Sequence, residues 1–351
     1  MSKIPVGIVG TGFGAIVHAP SYRAHERFEP LAIASPNRAT QVARELGIPH
    51  AFASTDEMLR ALPQLEAISV ASPPFAHYEA ALAAIEAGKH VLCEKPFALD
   101  VAQAERLLAA SKRHNRAYGI AFEFRFDSSR QALKELVDNG HLEPRREIEF
   151  THMWTTLRAE NTSRKRGWWF ERSRGGGIIQ AIGSHMIDSV CWLAGRDPVA
   201  VTGFSRTANP MRRDDAGTFE SDVADGMFAL LDFGEGLVGR IALDGTNAVN
   251  TSSLAVFGEN RIAVATAESL AWAKLFTIEG DESSELELAK GKYDHLRAAQ
   301  PNIPLFMHLL DEFAAAIDGK PNALPTFEDG LRVQRVMRAV GYEDVTGSRS
   351  T

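Results

Sequence analysis

The stretch GIVGTGFGA, residues 7–15, places small residues close together near the start of the chain. It follows a predicted strand and opens a helical pattern. Gly10 permits a tight turn, Gly12 lets backbone approach a phosphate, and Ala15 lets the helix pack on the strand. The unpaired N–H groups of a helix N-terminus then favour an anion. We therefore predict a dinucleotide-binding turn, with a simple tight βα turn as the alternative.

Strands and helices alternate through the first third of the chain. Five β-rich runs, IPVGIVG, PLAIAS, AISVAS, HVLCE and AYGIAF, are separated by helical patterns. Near-continuously apolar strands with helical crossovers predict a parallel sheet covered on both faces. Ser54 or Thr55 and Asp100 are predicted helix N-caps, and Gly88 stands where a helix should end. We expect an α/β, doubly wound Rossmann domain at 1–122.

Longer strands with alternating apolar and polar residues follow a helix predicted at 127–138. Alternation indicates that one face of a sheet is covered and the other is free. We expect an α+β domain at 123–351, built on a large, mostly antiparallel, open-faced sheet and closed by helices at 303–318 and 327–341. The free face could be where subunits meet.

Bulk composition favours small-molecule chemistry. The chain has 351 residues, of which 45% are hydrophobic, and can bury a large core. Its net charge of −7 is modest and its basic residues are dispersed, so neither nucleic acid nor membrane is an expected partner. Cys93 and Cys191 show no disulfide or metal-ligand spacing. With no signal-like or membrane-spanning run, a cytoplasmic protein without a metal site is expected.

The end of the second predicted strand bears on the choice of dinucleotide. An acid there would bind the ribose 2′-hydroxyl of NAD, whereas small and basic residues accommodate the 2′-phosphate of NADP. The chain has Ser35 at this position, with Asn37 and Arg38 close behind. Arg38 could bind the phosphate, or it could be a solvated residue of the next helix. NADP is therefore favoured, NAD is the alternative, and flavin is less favoured.

Glu94, Lys95 and Pro96 leave the fifth predicted strand at the edge where a doubly wound sheet binds its ligand. Lys95 is expected to point into the cleft. Hydride transfer to or from a carbon that bears oxygen requires a proton exchange, which a lysine can perform. Proline restricts the backbone of Lys95, and Glu94 could orient the lysine or touch the nicotinamide ribose. A surface lysine at a strand end is the alternative.

Four segments together resemble one known family. They are GIVGTGFGA, VASPPFAHYEAALAAIEAGKHVLCEKPFAL, EFRF and GGGIIQAIGSHMIDSVCWLAG. Across essentially the whole chain, the sequence resembles the glucose–fructose oxidoreductase, inositol dehydrogenase and MocA (GFO/IDH/MocA) family. The resemblance implies a Rossmann domain followed by an open-faced domain, a nicotinamide cofactor, sugar-like or polyol-like substrates, and homodimers or homotetramers built on the open sheets.

The resemblance also implies roles for individual residues. Lys95 would be the catalytic lysine, and His185 would face the substrate. With the residues predicted from the chain itself, the expected cofactor contacts are Gly10, Thr11, Gly12, Phe13, Gly14, Ala15, Ser35, Asn37, Arg38, Ser72, Pro73, His77, Glu94, Lys95 and Arg125. The candidate substrate contacts are Arg125, His152, Trp168, Trp169 and His185.

One position departs from the family pattern. The family places an aspartate four residues before the histidine, on the same helix face, and this chain has Ala181 there. Gln180 points about 100° away on an ideal helix and is not an obvious replacement. Asp188 could orient His185 from the other side or serve only in packing. Lys95 and His185 are then expected to handle the proton alone.

The glycine run, two tryptophans and one arginine can each be interpreted in two ways from the sequence. Gly175–Gly177 are poor helix formers and could let the chain approach substrate or cofactor closely, or could be a flexible linker. Trp168 and Trp169 could wall a sugar-binding pocket or pack in the core or a subunit interface. Arg125 could clamp substrate or pair with Glu123.

The expected function is an NAD(P)-dependent oxidoreductase, with NADP favoured. It would transfer a hydride between nicotinamide and a sugar, polyol or related hydroxy-carbonyl compound, with Lys95 as general acid/base assisted by His185. One alternative is a dinucleotide-binding sensor or regulator without turnover, which Ala181 favours and the retained Lys95 and His185 oppose. The other is an NAD-dependent glycoside hydrolase.

Overall fold

The computed structural model describes residues 3–342. The chain forms two compact units. Within the described residues, one consists of residues 3–126 together with Gly291–Leu331, and the other of Asp127–Lys290 and residues 332–342. The predicted division at residue 122 assigned the whole remainder to a second domain. Gly291–Leu331 instead belongs with the N-terminal unit, because a helix in this segment buries Phe306 and Phe313 in that unit's core.

The regular elements are as follows. The strands are β1 (Ile4–Val9), β2 (Phe28–Ala34), β3 (His50–Phe52), β4 (Ala67–Val70), β5 (His90–Cys93), β6 (Tyr118–Ile120), β7 (Arg145–Met153), β8 (Ala200–Arg206), β9 (Met211–Asp214), β10 (Gly217–Glu220), β11 (Gly226–Asp232), β12 (Val238–Asp244), β13 (Thr251–Gly258), β14 (Ile262–Ala267), β15 (Lys274–Glu279) and β16 (Glu282–Leu286). The helices are α1 (Ala19–Ala24), α2 (Ala39–Leu46), α3 (Thr55–Ala61), α4 (His77–Glu86), α5 (Val101–Ser111), α6 (Ser128–Asp138), α7 (Ser184–Ala194), α8 (Ile303–Ile317) and α9 (Phe327–Ala339). Two π-helical turns, Gly14–His18 and Ile179–Gly183, run directly into α1 and α7.

The first unit contains a six-stranded sheet in the order β3-β2-β1-β4-β5-β6. All of its strand pairs are parallel, which confirms the predicted Rossmann sheet. The strand order reverses between β1 and β4. Doubly wound sheets bind ligands beyond the carboxyl ends of the strands at such a switch point. The segments that follow β1, β4 and β5 are therefore where a site is expected.

The predicted helix signals of this unit are confirmed. The Ser54 hydroxyl accepts a hydrogen bond from the Glu57 N–H at 3.2 Å. The Asp100 carboxylate accepts one from the Gln103 N–H at 2.7 Å. Gly88 follows α4 with a φ of 68°, the left-handed conformation that commonly ends a helix.

The second unit contains an eight-stranded sheet in the order β16-β15-β14-β13-β7-β12-β11-β8. Only β7 and β12 pair in parallel, so the predicted, mostly antiparallel sheet is confirmed. Helix α7 packs on β7 and β12. Phe204, Leu230 and Val238 are exposed on this sheet. Within residues 3–342, no helix has both the length and the apolar character needed to cross a bilayer.

Candidate dinucleotide and catalytic site

The loop after β1 has room and hydrogen-bond donors for an anion. Gly10 has a φ of 112°, and a Cβ there would lie 2.3 Å from the carbonyl oxygen of Ala71. A Cβ on Gly12 would meet no atom within 4 Å. Within the described chain, the backbone N–H groups of Thr11, Gly12 and Phe13 have no backbone acceptor. An open loop lined by free N–H groups fits the pyrophosphate of a dinucleotide.

The helix packs closely on its strand at Gly14. A Cβ on Gly14 would lie 3.2 Å from the Ile8 Cγ2 and 3.3 Å from the Ala71 Cβ. Ala15, which was predicted to let the helix pack on the strand, is half-buried and packs against the core cluster that contains Ile8. The helix opens with a π-turn, and nothing in the local sequence pattern signals a π-turn.

The end of β2 is polar and free of acids. The Thr11 hydroxyl donates to the Ser35 hydroxyl at 3.2 Å, which connects this strand end to the glycine loop. Asn37 and Arg38 are exposed. Helix α2 begins directly after Arg38 and has no acidic residue in its first turn. A ligand phosphate beside Ser35 would therefore meet a nearby guanidinium rather than a carboxylate.

His77 fastens two strand-end segments together. Its side chain is buried, with Nδ1 2.7 Å from the Pro96 carbonyl oxygen and Nε2 2.8 Å from that of Ser72. Burial lowers the pKa of His77, and the two carbonyl oxygens oppose this shift only in part. The residue thus holds the segments after β4 and β5 together, and the cofactor contact expected of His77 stays a prediction.

Ser72 and Pro73 follow β4 at the switch point and are half-buried. A Cβ on Gly10 would lie 2.6 Å from the Ser72 nitrogen, so Ser72 lies directly beside the glycine loop. Among residues 3–342, the Ser72 hydroxyl is buried without a hydrogen-bond partner. An orphaned hydroxyl beside an open phosphate loop fits a bound dinucleotide.

Glu94 connects Lys95 to a buried histidine. The Glu94 Oε2 lies 3.9 Å from the Lys95 Nζ, and its Oε1 lies 3.0 Å from the Nε2 of His18. On its other side, His18 contacts the Ser69 hydroxyl through Nδ1 at 2.7 Å. Burial opposes ionisation of Glu94, but the His18 hydrogen bond and the charges of Lys95, His18 and His77 outweigh it, so the pKa of Glu94 is lowered. The lysine thus has an ionised carboxylate beside it.

Sequence reasoning did not identify His18. It ends the π-turn that starts at Gly14, is fully buried, and contacts the rings of Phe13 and Phe306 at centroid distances of 5.7 and 4.2 Å. A single histidine on an apolar helix face usually indicates core packing. The one available signal was its spacing in the sequence. His18 lies four residues after Gly14, where the helix faces the ends of the strands, and this could have indicated a contact with the site.

Arg125 pairs with Asp329, at 3.1 Å from its carboxylate. Its side chain is buried. An ion-paired Arg125 was one of the two predicted alternatives, and Asp329 is a partner that the sequence analysis did not name. Asp329 lies in the first turn of α9, so this contact depends on a segment far along the chain.

His185 lies on α7 in the second unit and is buried. The π-turn before it changes the geometry expected for its neighbours, since the Ser184 N–H bonds to the Ile179 carbonyl five residues back. Five-residue bonding brings Gln180 angularly closer to His185 than an ideal α-helix would. Gln180 is also buried, and its Oε1 has no hydrogen-bond partner within residues 3–342. Ala181 is half-buried.

The glycine run before α7 serves the packing of the second unit itself. A Cβ on Gly176 would lie 2.4 Å from the Trp169 carbonyl oxygen. Gly177 has a φ of 102°, and a Cβ there would lie 2.9 Å from the Val223 Cβ. The close approach predicted for this glycine run is therefore an approach to other parts of the second unit. These contacts explain why residues without a side chain are needed at Gly176 and Gly177.

Trp169 is packed rather than open. Its ring meets Phe170 edge to face at 5.2 Å, and the Arg164 guanidinium lies 4.1 Å from its centroid. The packing alternative therefore describes Trp169, whereas Trp168 is half-buried.

His152 is buried on β7. Burial, together with the charge of Arg130, lowers its pKa to about 4. It is therefore a neutral side chain at neutral pH.

The low pKa of His152 predicts acid-dependent destabilisation. The unfolded chain takes up a proton near its ordinary pKa of 6.5, but the folded protein does so only near 4, so stability falls as pH drops through this window. Lowering the pH from 7 to 5 should remove about 1–2 kcal/mol through this residue. Urea unfolding at both values should show a smaller loss for His152→Gln than for the wild type. His141→Gln, at an exposed position, is the control. Equal losses in all three proteins would contradict the assignment.

Comparisons with known proteins agree with this geometry. Residues 4–122 match a model described as an oxidoreductase family with an NAD-binding Rossmann fold, and residues 130–264 match the GFO/IDH/MocA C-terminal domain. An uncharacterised oxidoreductase of Synechocystis sp. is 36% identical over 200 residues, which cover 56% of this chain and 53% of that protein. The match therefore spans about half the length of that relative.

Other similarities extend over nearly the whole chain. The D-glucoside 3-dehydrogenase of Escherichia coli is 27% identical over 365 aligned residues, which cover 99% of this chain and 97% of that protein. A solved structure of levoglucosan dehydrogenase in complex with NADH and L-sorbose shares the fold, with a TM-score of 0.81, 23% identity and 98% coverage of each chain. With both family models matched, the chain belongs to the GFO/IDH/MocA family of oxidoreductases, and its N-terminal unit is that family's NAD-binding Rossmann fold.

Proposed function

We propose that the protein is a dehydrogenase or reductase that transfers a hydride between NADP, with NAD as the alternative, and a sugar, polyol or related hydroxy-carbonyl compound. The observation that carries this proposal is the position of Lys95. It follows β5 at the ligand-binding edge of the sheet, in the same unit as the open glycine loop, beside the ionised Glu94. The sugar-related names of the relatives support the substrate class.

The chain's own residues would hold the cofactor and move the proton. The loop from Gly10 to Gly14 would bind the pyrophosphate, and Ser72 would offer its orphaned hydroxyl. The bound nicotinamide supplies the hydride acceptor or donor. Lys95 would give a proton to the substrate oxygen in reduction and take it back in oxidation. His185 would hydrogen-bond the same or an adjacent oxygen.

A binding and turnover assay tests the proposal. Fluorescence titration with NADPH and NADH identifies the preferred cofactor, and absorbance of the reduced form then follows turnover with glucose, methyl glucoside, levoglucosan and myo-inositol. We expect cofactor reduction with at least one of these compounds. Tight binding without redox change across the panel would support the sensor alternative. Release of a sugar from a glycoside without net cofactor change would support the hydrolase alternative.

The proposed NADP preference depends on Ser35 and Arg38. Arg38→Gln should weaken NADPH binding by roughly 10- to 100-fold, because a charge-assisted hydrogen bond to the 2′-phosphate contributes about 1.5–3 kcal/mol. NADH binding should stay unchanged, and Ser35→Asp should shift the preference towards NADH. Arg44→Gln, at an exposed position on the same helix, is the control. Equal losses of NADPH and NADH affinity in Arg38→Gln would refute the 2′-phosphate role.

We also propose a homodimer or homotetramer that forms through the exposed sheet face of the second unit. Phe204, Leu230 and Val238 expose 58, 47 and 39% of their surface there, and Phe204 stacks on Phe228 at 5.4 Å. Contiguous exposed apolar side chains favour association. A cytoplasmic location is proposed as well, because Cys93 and Cys191 are buried and form no disulfide within the described residues, which suits a reducing compartment.

A further inference from the structure

We propose that His18 is a positioning residue, which holds Glu94 and thereby places the Lys95 ammonium for proton exchange. The inference rests on the proposed function, in which Lys95 exchanges that proton. It concerns a residue that lies outside the glycine loop and outside the Glu94–Lys95–Pro96 segment.

One imidazole ring joins three parts of the N-terminal unit. His18 ends the π-turn that starts at Gly14 in the glycine loop. Its Nδ1 is 2.7 Å from the hydroxyl of Ser69 on β4, and its Nε2 is 3.0 Å from the carboxylate of Glu94 after β5. Both ring nitrogens are therefore engaged with side chains at the switch point of the sheet. The glycine-loop helix is connected in this way to the segment that carries Lys95.

The two oxygens of Glu94 serve two different residues. Oε1 contacts His18, and Oε2 lies 3.9 Å from the Lys95 Nζ. The Glu94 side chain is 6% exposed and that of Lys95 is 17% exposed. Because the carboxylate is a rigid plane, losing the His18 contact frees it to rotate and changes what Lys95 faces. A carboxylate this buried also needs hydrogen bonds to remain ionised.

Packing alone does not explain a histidine at this position. The ring is fully buried and lies against Phe306 and Phe13, so an apolar residue would fill the same space. Burying an imidazole costs free energy unless its nitrogens are satisfied, and here one of its two partners is a charged carboxylate. A histidine at this position is explained by its contacts with the Glu94 carboxylate and the Ser69 hydroxyl.

The chain offers a matched control in His25. This side chain is 2% exposed and follows α1, the helix that continues from the π-turn. Its Nε2 lies 3.0 Å from the Asp311 carboxylate, the same distance as that between His18 and Glu94. The other side-chain groups at the Asp311 carboxylate are those of Tyr293, Lys292 and His308, and Lys95 is not among them. Loss of either histidine removes a contact between a buried imidazole and a carboxylate, although the Asp311 side chain is 33% exposed and that of Glu94 is 6% exposed. Only His18 leads to the proposed catalytic lysine.

Three variants separate positioning from folding. In His18→Asn, the amide can replace Nδ1 towards Ser69 but cannot reach Glu94. In His18→Gln, the longer amide can replace Nε2 and donate to Glu94. His25→Asn removes the matched bond. Turnover is measured with the panel sugar and cofactor that the wild type uses, and thermal unfolding is recorded for each protein.

We expect His18→Asn to lower kcat by roughly 10- to 100-fold, with the KM for sugar and the Kd for NADPH unchanged, because a small displacement of a reacting group is enough for such a loss. His18→Gln should recover most of this activity. His25→Asn should lose thermal stability but keep its kcat.

A measurement without cofactor gives a second test. In the apo protein, acetic anhydride should acetylate Lys95 faster in His18→Asn than in the wild type or His25→Asn, because the lysine is no longer held beside a fixed carboxylate. Acetylation is quantified by mass spectrometry, with the exposed Lys112 as internal reference. The proposal is overturned if His18→Asn matches His25→Asn in both kcat and Lys95 acetylation. If replacing Lys95 itself leaves turnover intact, the role proposed for Lys95 has failed instead, and acetylation still reports whether His18 positions the lysine.

Discussion

Replacing Lys95 with alanine is expected to lower kcat by about 10²–10⁴-fold while leaving NADPH binding intact, the usual contribution of a positioned general acid or base. The reason lies in where the residue sits. The segment after β5 places the ammonium beside the ionised Glu94, and the dinucleotide loop after β1 is a separate part of the unit. Single-turnover absorbance measurements would follow hydride transfer, and fluorescence titration would follow NADPH affinity.

Lys112→Ala is the control for Lys95→Ala. Lys112 is exposed in the same unit, where it pairs with Glu328 at 3.4 Å. This variant should match the wild type in both measurements. Retained turnover in Lys95→Ala would end the catalytic assignment, and a loss of NADPH binding equal to the loss of kcat would mean that the lysine serves the cofactor rather than the proton.

Gly10→Ala is expected to destabilise the protein by about 3 kcal/mol or more, through a left-handed backbone conformation combined with a steric clash. The φ of Gly10 is 112°, and the added Cβ would lie 2.3 Å from the Ala71 carbonyl oxygen and 2.6 Å from the Ser72 nitrogen. Both contacts are with backbone, which cannot rotate away. Urea unfolding should show a reduced midpoint, and NADPH binding should be lost with the loop.

Gly12→Ala separates folding from binding. A Cβ there would meet nothing within 4 Å, so stability should stay close to that of the wild type. NADPH binding should nonetheless weaken by roughly 10-fold or more, because the methyl group fills space that the pyrophosphate needs. If Gly10→Ala is as stable as Gly12→Ala, the described geometry of the glycine turn is wrong. If Gly12→Ala binds NADPH normally, the pyrophosphate does not lie over this loop.

Much of the site could be predicted because it depends on local pattern. A glycine that must adopt a positive φ, and a lysine directly after a buried strand, can be identified within a few residues of sequence. Gly10 and Lys95 are of this kind. Helix caps are equally local, and the predicted caps at Ser54 and Asp100 are present. In each case the chain segment that carries the signal also forms the contact.

Other features depend on residues far apart in the chain. Arg125 pairs with Asp329, and the carboxylate of Glu94 meets His18 across 76 positions. A π-turn precedes α1, and the one before α7 brings Gln180 angularly nearer to His185. A single extra residue in a short helix changes the hydrophobic periodicity too little to be recognised, so these turns were not anticipated.

Local side-chain chemistry and spacing were thus sufficient for the class of each sheet, the dinucleotide turn and the position of Lys95, because strand periodicity and glycine conformation are short-range properties. The tertiary structure alone decided which buried polar groups pair through hydrogen bonds and ion pairs. It also decided that Gly291–Leu331 belongs to the N-terminal unit. Those outcomes follow from the requirement that buried charges and apolar helix faces find partners wherever in the chain these lie.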